Sequence, residues 1–192
     1  MLNFIIQFDT KATNFITSLL PHNTFFNLFF SFFSLRGSSI FIWIIILLFL
    51  IIFEEKRDKK FIIYFALIFT LTWFLSDILL KNIFHRPRPF LSDFNRPASP
   101  AGGFQLIQPI STACPSNFSF PSGHAATAFA AATVLAFFDK KRKWFYYLVA
   151  FLISLSRIYL FCHYFLDVVF GSLIGYFHAY LILHLRPIEK KT

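Results

Sequence analysis

The sequence predicts an all-α integral membrane protein, and three observations lead to this fold class. Hydrophobic residues make up 57% of the 192 residues, 31 of them phenylalanine, and the mean hydropathy is +0.63. Several apolar runs approach the roughly 20 residues that a helix needs to cross a bilayer. These runs lack the alternation of a barrel strand, so the spans should be helical. We predict a bundle of five transmembrane helices, with a sixth only if the N-terminal segment also crosses the membrane.

Residues 1–37 form the predicted N-terminal segment. Apolar side chains recur at helical spacing, with Asp9, Lys11 and Asn14 between them, a pattern typical of an amphipathic helix in the membrane interface. The sequence Pro21-His22-Asn23 should end this helix. The phenylalanine-rich run that follows is short for a span, so residues 11–35 are open to an interfacial, re-entrant or membrane-crossing arrangement.

Residues 38–192 form the predicted membrane domain. Its spans are expected at about 38–53, 61–80, 122–138, 144–161 and 164–185, and a long loop at about 82–120. This loop holds six of the chain's nine prolines. Loops of this length are usually functional or disordered, so we expect it to cover an active site.

The short basic loops predict the orientation of the chain. Eleven of its 18 Lys and Arg residues lie at 56–60, 140–143 and 186–191, segments that alternate correctly to share one side. The positive-inside rule puts that side in the cytoplasm. We therefore expect a multi-pass protein of the inner (cytoplasmic) membrane, with the remaining cations facing the periplasm or exterior. Topology explains most of the net charge of +9, and we predict no nucleic-acid partner.

The first of three polar motifs on the outer side is the stretch 81–89, Lys-Asn-Ile-Phe-His-Arg-Pro-Arg-Pro. Lys81 offers a point charge and Arg88 a bidentate fork, which together suit a phosphate with several oxygens. The alternative is that both side chains simply snorkel at the end of a span. His85 and Arg86 stand off the main positions, and we interpret them as local electrostatics or as contacts to a substrate headgroup.

The second motif, Pro121-Ser122-Gly123-His124, opens a predicted helix. A helix N-terminus presents free N–H groups and a partial positive charge, so anions bind there. Ser122 can add a hydroxyl donor, Gly123 allows close approach to the backbone, and His124 can protonate a leaving oxygen. The plainer interpretation is that Ser122 caps the helix and His124 is interfacial.

The third motif, Ser156 to Asp167, places charged groups in an otherwise apolar run. On a helix, His163 and Asp167 would share a face, so the carboxylate could fix the histidine tautomer and activate the other ring nitrogen. Arg157 would lie at the same surface and suits phosphate oxygens. A metal site is the alternative, but the convergent groups are mostly cationic, so we predict neither a metal nor a cofactor.

In this order and spacing, the motifs resemble the signature of the type-2 phosphatidate phosphatase superfamily. That superfamily includes integral-membrane lipid phosphatases, class A acid phosphatases and vanadium haloperoxidases. The signature is Lys, six residues, Arg-Pro; then Pro-Ser-Gly-His; then Ser-Arg, five residues, His, three residues, Asp. All its positions are intact here, over about residues 61–185. One departure is Phe161, where membrane members often carry glycine, and we expect it to affect substrate fit only.

The resemblance implies a role for each signature residue. His163 would attack phosphorus to form a phosphohistidine, Asp167 would orient it, and His124 would protonate the leaving group. The phosphoryl oxygens would be held, without a metal, by Lys81, Arg88, Ser122, Gly123 and Arg157.

The implied activity is hydrolysis of a lipid phosphate or pyrophosphate at the outer face of the membrane. Candidate substrates are undecaprenyl pyrophosphate, the 1-phosphate of lipid A, phosphatidylglycerol phosphate and phosphatidate, and the sequence does not choose among them. A phosphotransferase that uses the same phosphohistidine is the alternative, and a non-catalytic channel or scaffold is a remote one. Cys114 and Cys162 would both face an oxidising compartment, so a disulfide between them is a further hypothesis.

Overall fold

The computed structural model describes residues 2–34, 38–53, 60–89, 114 and 116–185, and the described part of the chain is all-helical apart from its connections. Its helices are α1 (Leu2–Ser18), α2 (Thr24–Ser34), α3 (Ser38–Phe53), α4 (Lys60–Trp73, continued by a π-helix at Phe74–Leu80 and an α-helical turn at Lys81–Phe84), α5 (Gly123–Phe138), α6 (Lys143–Tyr159, after a 3₁₀ turn at Lys140–Arg142) and α7 (Phe165–Leu185). These bounds agree closely with the apolar runs of the sequence. Most of the predicted loop, and the basic segments at 54–59 and 186–192, lie outside the described residues.

Helix α5 forms the centre of the bundle. It packs against α4, α6 and α7, and most of its residues from Gly123 to Leu135 are buried. The helix is rich in alanine, so neighbouring helices approach its backbone closely. On α7, Gly171 and Gly175 face it: a Cβ at Gly175 would lie 1.9 Å from the carbonyl oxygen of Ala126. This small-residue contact sets how far α7 stands from α5.

The outer surface of the bundle is strongly apolar. Large side chains on α3, α4 and α7, such as Ile45, Ile63 and Phe177, are more than half exposed. By length and composition, Lys60–Phe84 and Phe165–Leu185 are able to cross a membrane, while α2, Ile40–Ile52 and α5 are shorter apolar helices. The number of spans, five or six, remains a prediction.

The N-terminal segment is two helices separated at the predicted Pro21 break, and both pack on the bundle. Helix α1 contacts α6 and α7, and α2 contacts α3 and α6. The amphipathic pattern of α1 is confirmed, but its polar residues lie on two sides: Lys11 is exposed, whereas a stripe of three others faces the protein. Asp9, Thr13 and Thr17 are buried against the protein, whereas Phe4 and Phe15 are exposed. The division of the chain at residues 37 and 38 remains a prediction.

Candidate active site

The three motifs converge at one end of the bundle. Lys81 lies at the end of the π-helical part of α4, Ser122 and Gly123 begin α5, and Arg157 lies in the last turn of α6. His163 occupies the turn between α6 and α7, and Asp167 lies in the first turn of α7, so its predicted proximity to His163 holds although His163 precedes the helix. The following signature side chains are almost completely buried: Lys81, Arg88, Ser122, Arg157, His163 and Asp167.

The ring of His163 lies between a guanidinium and a carboxylate. Its Nε2 is 3.0 Å from Nη1 of Arg88, and its Nδ1 is 3.6 Å from Oδ2 of Asp167. The second distance is too long for a hydrogen bond, and Nδ1 has no hydrogen-bond partner among the described residues, so the carboxylate faces the ring without the expected hydrogen bond. Because a guanidinium only donates hydrogen bonds, Nε2 must carry its lone pair there. The proton of the neutral ring is therefore on Nδ1, facing Asp167. This is the tautomer in which Nε2 is a nucleophile.

Burial keeps His163 neutral. It lowers the pKa of the imidazole well below its usual 6.5, and the charges of Arg88 and Arg157 act in the same direction, while the Ser119 backbone opposes them. The cause is that an imidazolium would be a cation without water among other cations. His163 is therefore unprotonated across the neutral range.

Asp167 is held by three donors that fix both of its carboxylate oxygens. Its Oδ2 accepts hydrogen bonds from the Ser119 hydroxyl and, at 2.9 Å, from the Tyr164 N–H. Its Oδ1 accepts one from Nη1 of Arg86 at 2.6 Å. Ser119 carried no signal in the sequence. Arg86, interpreted above as local electrostatics or a headgroup contact, pairs with the aspartate. His85, the other weak candidate, is exposed, and its ring contacts Phe118.

Arg88 has an acceptor for each of its five N–H donors. Nε and Nη2 bind the carbonyl and side-chain oxygens of Asn117 at 2.7 and 2.5 Å, and Nη2 also binds the Phe118 carbonyl at 3.1 Å. Nη1 binds the Cys162 carbonyl at 2.8 Å in addition to His163. Burial lowers the pKa of Arg88 to about 10, so it stays protonated at neutral pH. In this geometry Arg88 holds His163 and the neighbouring loop through hydrogen bonds.

Arg157 has donors to spare. Its Nη1 donates to the carbonyl and the hydroxyl of Ser34, the last residue of α2. Its Nε and Nη2 are buried, and within the described residues they have no hydrogen-bond partner. Unpaired donors on a buried cation are costly, so they indicate a place for an anion. His124, at the start of α5, lies within electrostatic range of Arg157 and His163.

Lys81 contacts a carboxylate that the sequence analysis did not single out. Its Nζ donates to Oδ1 of Asp77, one turn earlier in the π-helical segment. The same carboxylate lies so close to Gly123 that a Cβ there would overlap Oδ2 of Asp77. Gly123 therefore does admit an acidic group to the backbone of α5. Ser122 caps this helix, its hydroxyl accepting from the Ala125 N–H at 3.4 Å.

The backbone around His163 is fixed by a disulfide between Cys114 and Cys162, as hypothesised from the sequence, with 5.3 Å between the two Cα atoms. The preceding residue, Phe161, has a φ of 54°. This is the left-handed region that glycine adopts most easily. The turn itself thus accounts for the glycine often found at this position in membrane members, without reference to substrate fit.

Comparisons with known proteins identify the family of this chain. The PAP2 superfamily matches residues 60–191. The chain belongs to this superfamily. It is accordingly a phosphatase of the membrane lipid phosphatase class, a hydrolase of phosphoric esters, and the resemblance seen in the sequence is confirmed.

Several known proteins are similar to this chain over most of its length. An undecaprenyl-diphosphatase of Sulfolobus acidocaldarius is 30% identical over 154 residues, covering 78% of this chain and 68% of the relative. A lipid A 4'-phosphatase of Bacteroides thetaiotaomicron is 30% identical over 189 residues, covering 94% and 78%. The crystal structure of Aquifex aeolicus LpxE has a TM-score of 0.63 at 30% identity, covering 91% of this chain and 94% of that one.

Proposed function

We propose that this protein is a metal-independent phosphatase that removes phosphate from a lipid phosphate or pyrophosphate through a phosphohistidine on His163. The observation that carries the proposal is the neutral His163, whose Nε2 faces Arg88, together with Nε and Nη2 of Arg157, which have no hydrogen-bond partner in the part of the chain that the structure describes. A buried nucleophile within a cationic cluster suits a substrate that brings several negative oxygens.

In the first step, the Nε2 lone pair of His163 attacks phosphorus, and the bond from phosphorus to the leaving oxygen breaks. His124 lies among the same cations, so we propose that it takes up its proton once the negative oxygens of the substrate offset their charge. It then donates this proton to the leaving oxygen. The ring becomes cationic, and Asp167 stabilises it through the Nδ1 proton. Arg88 keeps its Nη1 beside the new phosphorus–nitrogen bond, where it can turn to a phosphoryl oxygen. We assign the remaining phosphoryl contacts to Lys81, Ser122, Gly123 and Arg157.

In the second step, water attacks the phosphohistidine. His124, now neutral, takes a proton from the water, the phosphorus–nitrogen bond breaks, and its electron pair returns to Nε2. Phosphate leaves, and the starting tautomer of His163 is restored. Each proton that His124 gives in the first step it regains in the second, so the cycle closes without another group.

We propose that the substrate is a lipid that reaches the site from the membrane. The named relatives are an undecaprenyl-diphosphatase and a lipid A 4'-phosphatase. They support undecaprenyl pyrophosphate and a phosphate of lipid A, at the 4' as well as the 1 position, over phosphatidylglycerol phosphate and phosphatidate. The Cys114–Cys162 disulfide supports a site on the oxidising, outer side of the inner membrane. The five or six spans and the cationic cytoplasmic loops remain part of this proposal.

The test follows phosphate release by the purified protein in mild detergent, with a panel of these lipids, in chelator and with or without vanadate. We expect release that vanadate inhibits and that His163→Ala and His163→Asn abolish. His184→Ala, at the exposed cytoplasmic end of α7, is the matched control and should behave as wild type. Release that persists in both His163 variants would refute the assignment.

A second measurement separates hydrolase from phosphotransferase. The phosphoenzyme formed from a ³²P-labelled lipid should be acid-labile and base-stable, as a phosphohistidine is, and it should decay to inorganic phosphate in water alone. Label that stays on the enzyme in water alone, and that moves to a second lipid without release of inorganic phosphate, would favour the phosphotransferase.

A further inference from the structure

Arg86 bridges two carboxylates at the edge of the active site. Its Nη1 donates to Oδ1 of Asp167 and its Nη2 to Oδ2 of Asp9, both at 2.6 Å. Its guanidinium carbon lies 4.1 Å above the centre of the Tyr164 ring, a cation–π contact that fixes the plane of the guanidinium. Both carboxylates are completely buried. A salt bridge of this kind has a fixed geometry because each buried charge needs its partner.

Asp9 lies on α1, yet it also binds the beginning of α7. Its Oδ1 accepts a hydrogen bond from the Leu166 N–H at 2.8 Å, and Thr13, one turn along α1, accepts one from the Phe165 N–H at 2.9 Å. These are N–H groups of the first turn of α7, which no carbonyl of that helix can reach. Helix α1 therefore supplies the N-terminal cap of the helix that carries Asp167.

We propose that Asp9 and Arg86 are positioning residues for the reaction, acting on His163 through Asp167. Arg86 holds Oδ1 so that Oδ2 is the oxygen that faces Nδ1 of His163, and Asp9 holds Arg86. This role rests on the proposed phosphohistidine mechanism and adds to it α1, which lies outside the residues 60–191 matched by the superfamily.

Because Arg86 and Asp9 carry opposite charges, neutralising each of them should shift the acid limb of the kcat/KM profile in opposite directions. The acid limb of the kcat/KM profile belongs to the His163–Asp167 pair, in which the imidazole must be neutral, with its one proton on Nδ1, for attack. Removing the positive charge of Arg86 makes a cationic imidazole less unfavourable, so the limb should move to higher pH. Removing the negative charge of Asp9 should move it to lower pH. The other charged or titratable groups near His163 are Lys81, Arg88, His124, Arg157 and, beside Lys81, Asp77, and they are the same in every variant.

The experiment compares Arg86→Gln, Asp9→Asn and the double variant with wild type. Asp9→Asn retains an oxygen for the Leu166 N–H, so the α7 cap persists while the charge is lost. We expect Arg86→Gln to lower kcat by about 10- to 100-fold, the usual cost of losing a group that orients a reactive one, with KM little changed. Displacements of the acid limb by about half a pH unit, in opposite directions, are within the usual effect of a neighbouring charge.

The double variant tests whether Asp9 acts through Arg86. If it does, adding Asp9→Asn to Arg86→Gln should lower kcat by less than Asp9→Asn does in wild type. Lys11→Gln changes a charge on the exposed side of α1 and is the matched control, which should leave both the profile and kcat unchanged. Thr13→Val removes a cap without changing charge, and it should lower the melting temperature without moving the acid limb.

The outcomes separate this inference from the proposed function. If wild type releases phosphate and His163→Asn does not, the phosphatase assignment stands whatever these variants do. Acid limbs that stay in place, or that move in the same direction in Arg86→Gln and Asp9→Asn, would overturn the positioning role. Helix α1 would then contribute only to the stability of the fold. Wild type that releases no phosphate from any lipid would instead refute the function on which the role rests.

Discussion

The contact between α7 and α5 should control catalysis, and Gly175→Ala tests this. A Cβ at Gly175 would lie 1.9 Å from the carbonyl oxygen of Ala126, whereas real Cβ atoms hardly ever come within 3.0 Å of another heavy atom. The obstacle is backbone inside a buried helix and cannot rotate aside. The two helices must therefore separate locally by about 1.1 Å or more.

This separation occurs close to the proposed catalytic groups. One turn nearer the site, Gly171 faces the carbonyl of Ser122, and the carbonyl of Asp167 accepts a hydrogen bond from the Ser122 N–H at 2.9 Å. Moving α7 outward carries Asp167 and His163 away from the start of α5. Since a misplacement of about 1 Å can cost about 10²-fold in rate, we expect kcat to fall by about that factor.

Gly175→Ala should change the free energy of unfolding only modestly, although it lowers kcat strongly. Overpacking a close contact costs about 1–3 kcal/mol, and the higher helix propensity of alanine offsets up to about 1 kcal/mol of it. The assay pairs phosphate release with thermal unfolding in the same detergent. Ser172→Ala, on a part-exposed side of the same helix, is the control and should change neither. Gly175→Ala with wild-type kcat and wild-type melting temperature would refute the claim that this contact positions the site.

Three further predictions concern groups around the site. Reduction of the disulfide, or the double substitution Cys114→Ser and Cys162→Ser, should destabilise the fold by up to about 4 kcal/mol, because the disulfide joins residues 48 apart. Thermal unfolding with and without reductant measures this loss. Wild-type thiols that react with an alkylating agent before reduction would contradict the prediction. The acid limb of the kcat/KM profile should lie below pH 6.5, because burial lowers the pKa of His163. The ring then stays neutral, and able to attack, until the pH falls to that lower value. An acid limb at or above pH 6.5 would contradict this prediction. Asp77→Asn should strengthen vanadate inhibition several-fold. The substitution removes a carboxylate that pairs with Lys81 and whose negative charge would repel an anion. Weaker inhibition would show that Asp77 instead holds Lys81 in place for the anion.

The sequence predicted the helices and the signature residues because both leave strong local signals. The run Ser38–Phe53 is uniformly apolar and is bounded by charge, so its helix has the predicted ends. A histidine, an arginine and an aspartate in an apolar background are costly unless they serve a purpose, and these are the residues that the fold collects. Asp77 gave the same kind of signal, an acidic residue within a predicted span, and could have been found by the same argument.

The residues that hold the signature side chains gave no comparable signal. Ser119 and Asn117 are ordinary polar residues of a loop, and Ser34 ends a helix far along the chain from Arg157. Each becomes functional only because the tertiary fold brings it to a buried charge that requires a partner. Contacts between residues 123 positions apart, as between Ser34 and Arg157, depend on how the helices pack, and the pattern of one segment does not contain that information.

Helix α1 shows where the amphipathic pattern is ambiguous. The period of 3.6 residues predicts two faces but not which of them meets the protein. In water the apolar face turns inward, but beside lipid the apolar side chains are already in a favourable environment. The polar stripe Asp9, Thr13 and Thr17, at spacing of four, then turns inward, because the N–H groups at the start of α7 and the charge of Arg86 need acceptors where water is scarce. A stripe of this kind, buried while Phe4 and Phe15 are exposed, therefore indicates a partner inside the protein, and here that partner is the helix that carries Asp167.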